Sequence, residues 1–375
     1  GAPLRVRGAR PPPPPTPLRV LIMKFRTLPN TTLSLSEVGF GVWTVATGWW
    51  GDHTDEEAVT MLRQARDCGI NFFDTADTYG NGRGEDLLLQ AFGPNPTDVI
   101  YATKFGYDIY TASETRRGQQ ELPHDFSPKF LRFACEQSLK RLGVDAIPLW
   151  QVHNARLDAV FNDELWTTLE ELKQEGKVLY AGVALGPANG WLTEGIGVMR
   201  HRDIASLQVI HNMLEQHPGS DFFPDARAND IGLLVRVPHS SGMLEGKYTP
   251  DTVFPKNDHR RHRPRSWLLN GIEKIKTLEF LTSGRGQTLG QAAIKFILSE
   301  PMVTSVLPNI YEADQLREFA AAPDLPDLTA EDLRRIAELE AINFGVEEEA
   351  MKFKGEEMSA LEAWEAQRES VAVAG

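Results

Sequence analysis

The chain has 375 residues, is 41% hydrophobic and carries a formal net charge of −13. That length supports a full core in one large domain or two ordinary ones, and that acidity makes the chain a poor partner for nucleic acid or an anionic membrane. Two cysteines, Cys68 and Cys135, give neither a disulfide framework nor a thiolate metal site, and no apolar run approaches the ~18 residues of a membrane span, so a reducing, cytoplasmic setting is expected.

The opening "GAPLRVRGARPPPPPTPLRVLI" holds four arginines, no acid and five consecutive prolines. Polyproline cannot enter a helix or a sheet interior, so residues 1–22 are expected to form a disordered leader. An Arg-rich, acid-free leader also suits a transit peptide, but the missing initiator Met and the position of Met23 favour translated upstream sequence or a cloning remnant. "SEVGFGVW" is predicted as the first strand of the folded body. "TDEEAVTMLRQARDCG" is predicted as a helix: Thr54 caps it, acids fill its first turn and Gly69 stops it. "INFFDTAD" is the next strand and "GEDLLLQAFG" the next helix. "DVIYATKFG" and "SPKFLRFACEQSLKRLG" repeat the unit, with Pro128 in a favourable first-turn position. "IPLWQVHN" leads to "NDELWTTLEELKQEG", and "VLYAGVAL" leads to a helix around Trp191 to Arg202. "SLQVIHN", "GLLVRVP" and "VTSVLPN" are three more strands, and "TLGQAAIKFILSE" and "EADQLREFAA" are the last barrel helices.

Eight short apolar strands, each followed by a helix or a helix-sized connection, imply right-handed crossovers and a parallel sheet. Eight units over roughly 300 residues fit a closed (β/α)8 TIM barrel, here a single domain over 23–345. An open doubly wound sheet is the alternative; "YGNGRGED" imitates its glycine-rich turn but follows the second strand, with the wrong spacing. From His239 to about Asn270 little regular pattern appears, and a loop that long after strand seven is usually functional. It contains "HRRHRPR" at His259 to Arg265, which reads as a solvated face in so acidic a chain. Residues 346–375 form a charged C-terminal tail, expected to pack loosely or hang free.

In a barrel of this kind the site lies at the C-terminal ends of the strands. Strand two ends at Asp74, with Tyr79 in its loop; strand three ends at Lys104 and strand four at His153. Singly, these read as a helix cap, a rim residue, a snorkelling lysine and a core histidine. Together, a carboxylate, a phenol, an ammonium and an imidazole converge on one mouth. An ammonium beside a phenol favours its ionised form, a carboxylate keeps the ammonium charged, and an imidazole donates to an oxygen that gains charge. That is a tuned general acid with an oxyanion site, as carbonyl reduction by hydride requires.

The motifs "FFDTADTYG", "YATKFG", "LWQVHN" and "SLQVIHN" resemble the aldo-keto reductases over about residues 23–345. The resemblance implies that Tyr79 gives the proton, that Lys104 and Asp74 tune it, and that His153 orients the carbonyl. It implies a nicotinamide dinucleotide across the mouth, with Asp74, Gln208, Arg236, Asn309, Gln315 and Glu318 as cofactor contacts. Gln208 is placed at the end of strand six against the carboxamide, and Gln315 and Glu318 at the adenosine end. Trp43, closing strand one, and Trp49 and Trp50 in the following loop would line the substrate pocket. Three departures bear on the cofactor: Ala184 and Leu185 replace the Ser-Asn of many relatives, Arg236 replaces an aromatic on the nicotinamide face, and Asn309 replaces a phosphate-binding lysine. Arg260, Arg261, Arg263 and Arg265 nonetheless favour NADP(H), with NAD(H) as the alternative. The expected substrate is a small carbonyl or alcohol, with no nucleic-acid or membrane partner. No metal is expected, since neither His259 with His262 nor His211 with His217 makes a ligand set. The alternative function is a dinucleotide-binding regulatory or sensor barrel resembling channel β subunits.

Overall fold

The computed structural model describes residues 22–111 and 121–374, so the leader lies outside the described residues apart from Ile22. Eight strands run parallel in chain order: β1 (Phe40–Gly41), β2 (Phe72–Asp74), β3 (Ile100–Phe105), β4 (Ile147–His153), β5 (Val178–Ala184), β6 (Ser206–Ile210), β7 (Gly232–Arg236) and β8 (Val303–Leu307). A parallel bridge from Val38 to Val306 brings the last strand back to the first and closes the barrel. Helices follow the first five strands as predicted: α1 (Asp55–Asp67), α2 (Arg83–Phe92), α3 (Pro128–Leu142), α4 (Asp163–Gln174) and α5 (Leu192–His201); α6 (Phe223–Ala228), after β6, is a short helix that the pattern did not single out. After β7 come α7 (Arg265–Lys276) and α8 (Leu289–Leu298), and after β8 come α9 (Ala313–Ala320), α10 (Ala330–Ala341) and α11 (Met358–Ala374).

The helix starts follow from local chemistry. Thr54 and Glu57 make a reciprocal capping box at α1, and Ser127 caps α3 with Pro128 in its first turn. Gly143 takes a left-handed conformation just past α3, where a side chain at Cβ would cost strain. Burial on both faces explains why the strands read as nearly continuous apolar runs.

The sequence pattern missed the barrel floor. Phe25–Thr27 and Ser34–Ser36 pair antiparallel as a hairpin. Its leucines, Leu28, Leu33 and Leu35, are buried in one cluster with Phe72, Ala102, Leu149, Leu234 and Leu307. Burial of such side chains is worth about 1.5–3 kcal/mol each, so the hairpin is an integral plug. Arg26 fixes it by donating to the carbonyls of Leu298 (2.8 Å), Glu300 (3.2 Å) and Val303 (2.7 Å).

Four expectations need correction. Trp43 does not close a strand: β1 stops at Gly41, and Trp43–Ala46 is a four-residue helix. Gln208 is the middle residue of β6, not its end. The segment after β7 is more ordered than its pattern suggests, with short 3-10 turns at Met243–Glu245 and His259–His262, and α7 already under way by Arg265. The C-terminal tail is also strapped down. Trp191 donates its backbone N–H to Lys354 (2.5 Å), Thr193 donates its hydroxyl to the Glu356 carbonyl (2.6 Å), and Glu194 accepts from the Glu356 N–H (3.1 Å). On α11, Leu361 is fully buried and Trp364 stacks on Phe161 with ring centroids 4.5 Å apart.

Candidate active site

The strand pairings set the site. Asp74 is the last residue of β2, and Lys104 lies on β3 directly beside Gln151 of β4. His153 ends β4 two residues further along the same face. Thr75 to Gly80 then turn back over the mouth and carry Tyr79.

Lys104 is fully buried and its ammonium is the hub. Its Nζ donates to Asp74 Oδ1 (2.6 Å), to the Thr75 carbonyl (2.7 Å) and to the Tyr79 hydroxyl oxygen (3.2 Å). Burial pulls this ammonium down, but Asp74 and then Tyr79 outweigh that and hold it above its ordinary value. The other Asp74 oxygen accepts from Gln208 Nε2 (2.8 Å) and Gln151 Nε2 (3.1 Å). Gln151 was not among the predicted site residues. Its signal was a polar residue on the inward face of β4, two positions before His153.

The His153 ring lies edge-on to Tyr79, with centroids 6.0 Å apart, and edge-on to Tyr107 at 5.2 Å. Its backbone carbonyl lies 3.0 Å from His124 Nε2, and Tyr107 accepts from the Asn154 amide (2.9 Å). The four predicted catalytic residues are therefore together at one mouth. Asp77, the second carboxylate of "FFDTADTYG", is not with them. It is buried behind the loop near Glu85 and Arg141, and burial followed by the Glu85 charge pushes its carboxyl well up. Glu85 itself pairs with Arg141 (2.6 Å) and accepts from Thr103 (2.6 Å).

On the far side of the mouth, Gln208 commits only its amide nitrogen, leaving its oxygen as an acceptor. Arg236 ends β7, and its Nη2 donates to the carbonyls of Leu185 (2.9 Å) and Pro187 (3.1 Å). The chain after it is strained: Val237 (φ 57°), Ser240 (46°), Ser241 (57°) and Gly242 (91°) all sit in the left-handed region. For a β-branched valine this is a costly conformation, of the kind that collects at ligand sites. The backbone N–H groups of Ser241 and Gly242 have no partner among the described residues, and Arg263 reaches the Ser241 hydroxyl (3.1 Å). Free N–H groups with a guanidinium beside them suit an anionic group such as a diphosphate.

The remaining predicted contacts divide. Asn309, half-buried just past β8, makes no hydrogen bond among the described residues. Gln315 is already engaged: its oxygen accepts from the Tyr311 (3.1 Å) and Glu312 (3.2 Å) N–H groups, and its nitrogen donates to Glu245 (3.0 Å). Glu318 accepts from the Thr288 hydroxyl (2.7 Å). Trp50 is buried between loops, stacked on Tyr311 (5.3 Å) with the Arg260 guanidinium 4.6 Å from its ring. The His259 ring packs edge-on against Trp43 (5.4 Å) and Trp49 (5.9 Å), and the His259 backbone N–H donates to the Trp49 carbonyl (3.0 Å). The three tryptophans thus clasp the loop after β1 to the loop after β7. Arg260 belongs to that clasp, paired with Asp258 (2.6 Å), and is not a free cation. Among the described residues no three His, Cys, Asp or Glu side chains converge to hold a metal ion, and no helix is long and apolar enough to cross a membrane.

Residues 37–341 match the model of the aldo/keto reductase family. Among curated relatives, the NADH-specific methylglyoxal reductase of Escherichia coli K12 is 28% identical over 328 residues, covering 84% of this chain and 99% of that protein. A probable voltage-gated potassium channel subunit beta of Oryza sativa subsp. japonica is 29% identical over 329 residues, covering 84% and 95%. Among solved structures, the glycerol dehydrogenase AKR11B4 from Gluconobacter oxydans superposes with a TM-score of 0.74 at 25% identity, covering 88% of this chain and 99% of that one.

Proposed function

The chain belongs to the aldo/keto reductase family, and from that premise we propose that Asp74, Tyr79, Lys104 and His153 reduce the carbonyl of a small aldehyde or ketone. The protein is an NAD(P)-dependent oxidoreductase, and the same groups run the reverse alcohol oxidation. When bound, a reduced nicotinamide supplies the hydride to the carbonyl carbon. The carbonyl oxygen, polarised by His153, takes its proton from the Tyr79 hydroxyl as the C=O π bond opens. The phenolate left behind faces the Lys104 ammonium, which Asp74 keeps charged, and is reprotonated from solvent. Gln151 and Gln208 hold Asp74 in place by filling its second oxygen. The observation that carries this reading is the single ammonium within hydrogen-bond reach of both the carboxylate and the phenol. Tyr79→Phe removes only the transferable proton. It is expected to lose at least two orders of magnitude in turnover on simple aldehydes while keeping cofactor affinity within about threefold. Wild-type turnover in that variant refutes the assignment. Two plant relatives are named as channel subunits, so a regulatory barrel is the rival reading; steady wild-type turnover of aldehydes decides against it as the sole role.

The cofactor is a nicotinamide dinucleotide, and NADP(H) is the proposed preference. Arg261, Arg263 and Arg265 have no carboxylate partner among the described residues, so the loop after β7 and the first residue of α7 keep three uncompensated cations even though Arg260 is committed. Curated relatives include both an NADH-specific and an NADP(+) enzyme, so family alone does not choose. Losing a charged contact of ~1.5–3 kcal/mol weakens NADPH binding roughly ten- to hundredfold. Specificity constants for NADPH and NADH in wild type and in Arg261→Ala, Arg263→Ala and Arg265→Ala test this. Equal or better use of NADH by wild type overturns the preference.

A further inference from the structure

We propose that Arg236 makes the nicotinamide half of the mouth discriminate by charge, accepting the neutral reduced ring and rejecting the cationic oxidised one. The inference rests on the function proposed above and adds to it a direction of use.

The placement comes from the division of the mouth. The acid–base groups all stand on β2, β3, β4 and the loop after β2. A carbonyl oxygen held by Tyr79 and His153 needs its hydride donor within ~3–3.5 Å of the carbonyl carbon. The space left for that donor is walled by the ends of β5, β6 and β7. There the side chains are small at Ala184 and absent at Gly186, and the polar groups are Gln208 and Arg236. Nη2 lies close over Gly186, in space that a Cβ there would fill. Two carbonyls therefore clamp one edge of the guanidinium and present the rest of it to the mouth.

This guanidinium has no counter-charge. Among the described residues no carboxylate forms an ion pair with it, and Nε and Nη1 make no hydrogen bond. The acidic groups within its electrostatic reach are the Tyr79 phenol, neutral while it holds its proton, and Asp74, which is already paired with Lys104. Arg236 is half-buried and its charge has no partner among the described residues, so what lies beside it matters. A neutral ring can stack on a guanidinium plane favourably. A ring that has given up a hydride carries one positive charge and is repelled at that distance.

The oxidised cofactor is thus expected to bind roughly ten- to hundredfold more weakly than the reduced one. Each factor of ten raises the potential of the bound two-electron couple by about 30 mV. With both forms present, the enzyme loads with the reduced one and sheds the oxidised one quickly, which suits net carbonyl reduction.

The test is equilibrium binding of NADPH and NADP+, and of NADH and NAD+, by tryptophan fluorescence to the full-length wild type, Arg236→Gln and Arg236→Lys. Wild type is expected to show a ratio of oxidised to reduced Kd of ten or more. Arg236→Gln is expected to bring it within about threefold of one, chiefly by tighter binding of the oxidised form, and Arg236→Lys to retain most of it. A wild-type ratio near one overturns the inference alone, as does a ratio that survives in Arg236→Gln or collapses equally in Arg236→Lys. If Arg236→Gln does not fold, the wild-type and Arg236→Lys ratios still decide. Failure of wild type to bind either form overturns the proposed function and this inference together.

Discussion

Replacing Asp74 by Asn is the sharpest probe of the buried site. Asn keeps an oxygen where Oδ2 stood, so Gln151 and Gln208 can still donate to it. Its amide nitrogen takes the place of Oδ1, 2.6 Å from the Lys104 ammonium, and sets donor against donor. Lys104 and Asp74 side chains are only 1% and 6% exposed, so water cannot replace the lost acceptor. Removing one partner of a buried pair costs about 3–5 kcal/mol, a large share of the ~5–15 kcal/mol by which domains are stable. The loss depends on pH. In wild type the ammonium is held above its ordinary value, so the stability it adds is complete below about pH 10 and fades as pH rises through the folded value. In the variant, burial without Asp74 favours neutral lysine, and the variant gains stability as pH rises. The gap is therefore widest near neutrality, narrows toward about pH 10 as the variant recovers, and narrows further above it as the wild type loses its ammonium. The double variant Asp74→Asn/Lys104→Met removes the clash as well as the charge, so it is expected to recover about 2–3 kcal/mol of the single variant's loss. Urea unfolding of the three proteins at pH 7 and pH 10 measures all these terms. A single-variant loss under 1 kcal/mol, or a double variant less stable than Asp74→Asn, refutes the argument.

Three other outcomes are expected. Leu361→Ala, in the segment whose composition suggests a loose tail, costs about 2–4 kcal/mol in urea unfolding; a change near zero means that α11 does not hold the barrel. Asp332 bonds to Arg285 and caps α10 through Thr329, which together hold its carboxyl down at about 2. Because the folded value is depressed, its stabilisation of about 1–2 kcal/mol is present above pH 4 and is lost as pH falls toward 2. Asp332→Asn is thus less stable than wild type at pH 7 and indistinguishable from it near pH 2. Arg260→Ala lowers the melting temperature and weakens NADPH and NADH equally, because Arg260 ties Trp50, Tyr248 and Tyr311 together. Selective loss of NADPH in that variant places the 2′-phosphate on Arg260 instead.

The barrel and the candidate quartet at its mouth were legible because both depend on short-range pattern. Parallel strands buried on both faces leave apolar runs, and a site at their ends leaves a charged residue where each run stops, as at Asp74, Lys104 and His153. Features held by distant partners left no such trace. Gln151 reads as one more polar residue until its register against Lys104 places it beneath Asp74. "HRRHRPR" reads as a cationic patch, and only the folded loop shows Asp258 and the four rings of Trp50, Tyr248, Phe254 and Tyr311 around Arg260. The C-terminal segment is charged in composition, yet a few anchors, Leu361 and Trp364 among them, suffice to dock it. The first hairpin is too short for any period to show, and its leucines make sense only against the barrel floor.

That floor joins the two ends of the folded body. Arg26 binds carbonyls at Leu298, Glu300 and Val303, and Val38 bridges to Val306, contacts spanning more than 260 residues. During synthesis the hairpin emerges before the eight strands, and its last partners, Leu307 and the carbonyls that Arg26 binds, emerge only around the eighth strand. Until then Arg26 waits without its carbonyls, the leucines have only part of their surface, and the first strand keeps an open edge. Loop closure over such separations is slow and leaves edges available to neighbouring chains. Completion of this fold is therefore a late, single closing event, and the interval before it is when the chain is most exposed to self-association.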